Sequence, residues 1–176
     1  MSINFSSNYF ELFNLPVKFR LDSNQMSEAW RNIQNMVHPD RHVQGSAQDK
    51  RIAMQWAVYV NEAFTTLRNP LDRARYLLAL HGFDTKEETD TFMPEGFLME
   101  QMIWRENIEE AISSNNINEL NSLLQQLYEL YSAGEDRLGQ FIDDKQNYID
   151  AILEVRKLRF FQRLEKEIKD SVEQLE

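Results

Sequence analysis

Cysteine is absent from this chain of 176 residues, which removes disulfides and thiolate metal sites from consideration. Glycine and proline are scarce, at five and four residues, and no stretch alternates apolar and polar positions over the length of a strand. Turn-rich β architectures are therefore excluded and an all-α fold is expected. No run approaches the roughly 20 apolar residues that a bilayer requires. Residues 1–10 lack the basic start and apolar stretch of a secretion signal, and equally the Arg-rich character of a transit peptide. Basic residues are outnumbered, 19 Lys and Arg against 29 Asp and Glu. A chain this acidic is poorly suited to nucleic acid, whose recognition depends on neutralising phosphates. The expectation is a cytoplasmic protein with no nucleic-acid and no membrane partner.

What is present is enough to build a core: 42% apolar residues, with eleven Phe and three Trp. The charge is unevenly divided. Residues 1–75 carry nine Lys and Arg against seven Asp and Glu, a net of +2; residues 76–176 carry ten against twenty-two, a net of −12. Two domains facing different partners would produce such a division.

Helices are expected at about 8–15, closed by Pro16, and from a cap at Asp22 or Ser23 to Val37, with Gln25 near the reciprocal capping position. Two more are expected at about 47–67 and 71–80, separated by Asn69-Pro70 and ended at His81-Gly82. Residues 82–94 are polar and aperiodic and read as a linker. Beyond them, helices at about 95–114, 117–133 and 136–175, with breaks at Asn115-Asn116 and Gly134, should pack as an antiparallel bundle. This gives domains at 1–81 and 95–176.

His38-Pro39-Asp40 stands where the second helix must stop, because proline lacks an N–H and disfavours helical geometry in the residue before it. An imidazole and a carboxylate are then presented at a helix end, ahead of a polar loop. His38, Asp40 and His42 could ligate a metal, but the proline breaks the register that would align them and no third or fourth ligand is evident nearby. An acid–base pair would need a cleft that an exposed loop does not supply. Taken alone, the tripeptide is equally compatible with a turn of no function.

Its surroundings carry more. A short helix holding Tyr9-Phe10, Leu12-Phe13 and Leu15-Pro16 precedes it, a capped helix of about four turns leads into it, and Val60-Asn61-Glu62-Ala63-Phe64, Leu67, Asn69-Pro70 and Arg73-Ala74 follow. This ordered set resembles a J-domain, the module that activates DnaK-class ATPase chaperones. The resemblance implies that His38, Pro39 and Asp40, with Arg31 and Arg41 beside them, contact the chaperone. His38 would offer hydrogen bonds, and Asp40 would hold the loop and pair with a chaperone cation. One departure stands out. The helix before the motif is usually rich in Lys and Arg in this family, whereas here it keeps only Arg31 and adds Glu28, with Lys50 and Arg51 flanking the loop. Electrostatic steering should be weak.

The helix at 95–114 is apolar on two sides. Taking about 100° per residue, Trp104, Ile108, Ala111 and Ile112 lie within about 60° of Phe97, while Leu98, Met99, Met102 and Ile103 fall on the opposite side. Such a helix is either sandwiched or leaves one face for a partner. Phe97 to Met102, Arg73 to Phe83 and Val155 to Phe160 resemble the HscB family, J-protein co-chaperones of iron–sulfur cluster assembly. That resemblance implies two partners, the chaperone HscA and the scaffold protein IscU, no catalytic residues and no cofactor or metal. It further implies a scaffold surface formed by Leu98, Met99, Met102, Glu106 and Phe160 with Arg159 alongside. Ile103 stands where an acidic residue can occur in the family. The spacing of Phe160 and Phe161 leaves open which is exposed, and the resemblance points to Phe160. Rival readings are a J-protein serving general clients, a small metal-dependent enzyme, and a helical adaptor without a chaperone link.

Overall fold

The helix boundaries follow from side chains that satisfy the orphan amides at each start. Asn8 Oδ1 accepts from the Glu11 amide at 2.9 Å while Glu11 Oε2 accepts from the Asn8 amide at 3.0 Å, a reciprocal cap that sets α1 (Tyr9–Leu12). Asp22 Oδ1 accepts from the amides of Asn24 and Gln25 and so starts α2 (Ser23–Val37). Of the two cap candidates in the sequence it is therefore Asp22 that acts. Ser46 with Asp49 caps α3 (Ala47–Arg68), and Asn69 caps α4 (Pro70–Leu80), with Pro70 in the first turn where its missing N–H costs nothing. Asn116 caps α6 (Ile117–Gly139), which follows α5 (Glu95–Ser113) after a single left-handed residue, Asn115. A π-helical turn (Gln140–Asp144) extends α6 before α7 (Tyr148–Leu175). This computed structural model describes residues 7–37, 46–85 and 93–175, among which there is no strand.

The chain divides into two compact units, Met1–His81 and Gly82–Glu176. In the first, α2 and α3 run antiparallel. Trp30 stacks on Phe64 at 4.7 Å, and its indole N–H donates to Asn61 Oδ1. Phe10, Phe13 and Phe19 fill the core against Val60, Ala63, Leu67 and Leu77. The short α1 is pinned by tyrosines. Tyr9 stacks on Tyr76 at 4.4 Å, its amide donates to the Tyr76 hydroxyl, and Tyr59 donates to the Ser7 carbonyl. Burial, and behind it the Glu62 carboxylate that accepts from Tyr9, pushes the Tyr9 hydroxyl up to about 12. The expected reach of α1 to Leu15 is not met. Asn14 adopts a left-handed φ of 52°, and the chain turns back there with the Leu15 amide donating to the Phe10 carbonyl.

In the second unit α6 and α7 form an antiparallel pair whose register is marked by Lys169 over Tyr128, Gly134 against Leu158, and Arg137 paired with Glu154 at 2.7 Å. Gly134, expected to break the chain, lies inside α6. A methyl group there would come within 2.4 Å of Leu158 Cδ2 and 2.9 Å of Glu154 Oε1, so the glycine serves close helix approach and not termination. The actual break comes later, at Gln146 with a φ of 51°, followed by Asn147, whose Oδ1 accepts from the Asp150 amide. Residues 83–85 of the expected linker pack into this unit: the Phe83 ring lies 5.0 Å from Tyr148, and Arg156 Nε donates to the carbonyl of the buried Thr85.

Candidate partner-binding faces

On the first unit α2, which leads to His38-Pro39-Asp40, is described as far as Val37. His38, Pro39, Asp40 and Arg41, together with His42, lie outside the described residues. Arg31 is exposed on α2. Its helix turns Met26, Ile33 and Val37 into the core and leaves Met36 53% exposed. Across the α2–α3 seam, Trp30, Gln34 and Asn61 are joined by hydrogen bonds in which both Trp30 and Gln34 donate to Asn61 Oδ1. This ties the C-terminal half of α2 to α3.

On the second unit α5 shows the two faces read from its periodicity. Phe97, Trp104, Ile108 and Ala111 are buried, whereas Leu98, Met99, Met102 and Ile103 are each 46–61% exposed. Glu106 is exposed and, about 180° round from Phe97, falls on the same side as these four. Four large apolar side chains on one helix side amount to a patch that a protein without a partner rarely leaves in water. Its two methionines are flexible and polarisable, which suits an adaptable contact.

The choice between Phe160 and Phe161 resolves as neither, since the former is 8% and the latter 3% exposed. The reason is tertiary. Phe97 enters from α5 and meets both rings edge-on, at 5.6 and 5.9 Å, so one aromatic group occupies the angle between two residues that cannot share a helix face. The expectation of an open Phe160 is corrected accordingly: it lies beneath the residue that precedes Leu98. Arg159 is half-buried and donates to Gln162 Oε1 at 2.7 Å. Lys157, which the sequence did not single out, places its ammonium 5.3 Å from the centre of the Phe97 ring. Among the described residues no group of three or more His, Asp or Glu side chains could hold a metal ion, and no helix is long and apolar enough to cross a membrane.

Comparison with known proteins gives this arrangement a lineage. Residues 93–169 match the family model described as the HSCB C-terminal oligomerisation domain. The chain is 44% identical to the co-chaperone protein HscB homolog of Paraburkholderia xenovorans, over 97% of each chain. To the homolog of Azoarcus sp. it is 43% identical, over 100% of this chain and 99% of that one. This chain belongs to the HscB co-chaperone family. Among solved structures it is similar to the chaperone HscB from Vibrio cholerae, with a TM-score of 0.82 and 32% identity over 97% of this chain and all of that one. It is likewise similar to the human co-chaperone protein HscB, with a TM-score of 0.88 and 28% identity over 94% and 82%. The fold is thus the HscB arrangement, an N-terminal J-domain and a C-terminal antiparallel three-helix bundle. In HscB terms α2 belongs to the J-domain, and the exposed side of α5 belongs to the bundle.

Proposed function

We propose that this protein stimulates the ATPase of the DnaK-class chaperone HscA and delivers the iron–sulfur scaffold IscU to it, assisting the maturation of iron–sulfur proteins in the cytoplasm. It would perform no catalytic step of its own. The observation that carries the reading is the exposed row Leu98, Met99, Met102 and Ile103 on the bundle of a chain whose J-domain leads into His38-Pro39-Asp40. A trigger and a client surface are thereby carried by one molecule. His38, Pro39, Asp40 and Arg41 with Arg31 would meet the chaperone. Leu98, Met99, Met102 and Glu106 would meet the scaffold, Phe160 supporting the row through Phe97 and Arg159 lying alongside.

The test is steady-state ATP turnover by HscA with this protein added, in the presence and absence of IscU. Stimulation by the protein that rises further with IscU is expected. Stimulation that any unfolded client raises equally well would favour the alternative of a general J-protein. No stimulation at all would remove the chaperone reading.

A further inference from the structure

The outward side of α3 carries a third face. Along it Arg51, Gln55, Val58 and Glu62 recur at helical spacing, and at about 100° per residue they stay within about 60° of arc. Met54 and Tyr59 flank this line, and the six side chains border a cleft of about 680 Å³. Its centre is apolar and open to water, Met54 being 61% and Val58 68% exposed. Its ends are charged, with Arg51 in the first half of α3 and Glu62 about 16 Å further along the axis. Glu62 accepts from the Tyr9 hydroxyl at 3.2 Å, which holds its carboxylate at the cleft. Among the described residues Arg51 has no carboxylate partner. The contact of α2 with α3 lies elsewhere, through Asn61 and Phe64.

These six positions have a symmetry of their own. When α3 is reversed about the point between Trp56 and Ala57 they map onto themselves: 51 exchanges with 62, 54 with 59 and 55 with 58. We infer that the occupant of this cleft is the α3 of a second copy of this chain, laid antiparallel across it about a two-fold axis. In such a closed pair each patch is its own complement. Arg51 of each copy then lies opposite Glu62 of the other, which places one ion pair at either end of the contact. Between them Val58 comes against the stem of Gln55 and leaves the water. A parallel copy would set like charge on like. The partition of charge favours the same choice. Met1–His81 carries a net of +2, so two copies can approach through it, whereas Gly82–Glu176 would oppose a net of −12 with the same. A partner of one strong charge sign fits the cleft less well, because its two ends are of opposite sign.

Sedimentation equilibrium of the full chain over a wide concentration range tests this. One helix face on another is a small interface, so a dissociation constant on the order of 100 μM is expected. Arg51→Glu sets carboxylate against carboxylate and Glu62→Lys sets cation against cation, and each alone should weaken association about tenfold or more. Mixed in equal amounts, the two variants regain opposite charges at both ends and should associate as the wild type does, a result that requires a second copy in this register. Val58→Lys should abolish association and, at an exposed position, melt with the wild type. Glu62→Lys also takes the acceptor from Tyr9. If it melts lower for that reason, Arg51→Glu with Glu62→Gln decides in its place, since the amide keeps an acceptor and should recover part of what Arg51→Glu loses. No recovery by the mixture, or by that double variant, overturns the antiparallel contact. So does association that these changes leave intact and that Leu98→Ser with Met102→Ser removes, which would move it to α5. A wild type that is monomeric throughout overturns it as well. Val58→Lys melting lower would then give the cleft to another segment of the same chain, and melting alike would leave it to a different protein.

Discussion

At the scale of the residue, two positions show how one side chain can be decided by a neighbour distant in sequence. Gly134 is a helix breaker by composition and a packing element by position, since Leu158 and Glu154 occupy the space its side chain would need. Glu154 is itself 4% exposed, and the Arg137 hydrogen bond that accounts for its burial raises the pKa of Arg137. A methyl group at 134 would press on the Leu158 side chain and on the carboxylate of this ion pair together. Gly134→Ala should therefore destabilise the second unit by about 1–3 kcal/mol, the usual cost of overpacking, despite alanine's better helix propensity. Urea unfolding followed by circular dichroism checks the sign. A stabilised variant would mean that α6 and α7 can separate at no cost and that propensity alone governs the site.

At the scale of the element, α5 separates what a sequence can disclose from what it cannot. Its two faces follow from a fixed angle per residue, so the buried row and the exposed row were legible before any coordinates. The start of α2 was legible for a comparable reason, since Asp22 is one of the two side chains there able to cap a helix. The Phe160–Phe161 pair was not, because both are buried only by virtue of Phe97 arriving from another helix. The extent of α6 is not legible in the sequence, because glycine as a stop and glycine as a close contact look alike in one dimension. The distinction has a measurable consequence. Leu98→Ala, at a position 46% exposed, should change stability by less than about 0.5 kcal/mol. Phe160→Ala should cost about 3 kcal/mol or more through the cavity it leaves beneath Phe97. Both should weaken scaffold binding in a titration by calorimetry, the first without a shift in melting temperature and the second with one. Equal melting temperatures would return Phe160 to the surface and count against its place in the aromatic cluster.

At the scale of the whole molecule, the question is what is gained by carrying two faces on one chain. The charge is partitioned with the fold: Met1–His81 has nine Lys and Arg against seven Asp and Glu, while Gly82–Glu176 has ten against twenty-two. The two units therefore offer different electrostatic surfaces, which disfavours a partner of one being taken by the other. On the proposed function, a covalent link between them would make the second encounter intramolecular, so that a scaffold held on α5 would meet the chaperone at an effective concentration set by the linker and not by the bulk solution. Two full-length variants test this without cutting the chain. On that reading Asp40→Ala would remove the trigger and keep the scaffold face, and Leu98→Ser with Met102→Ser would remove the scaffold face and keep the trigger. Each alone should fail to show the extra ATPase stimulation that IscU brings to the wild type. Their equimolar mixture should fail as well, because scaffold bound to the first variant has no trigger on its own chain, and the second gains nothing from scaffold it cannot hold. Recovery of wild-type stimulation by the mixture would show that the faces work independently, and the advantage of a single chain would have to be sought elsewhere than in tethering.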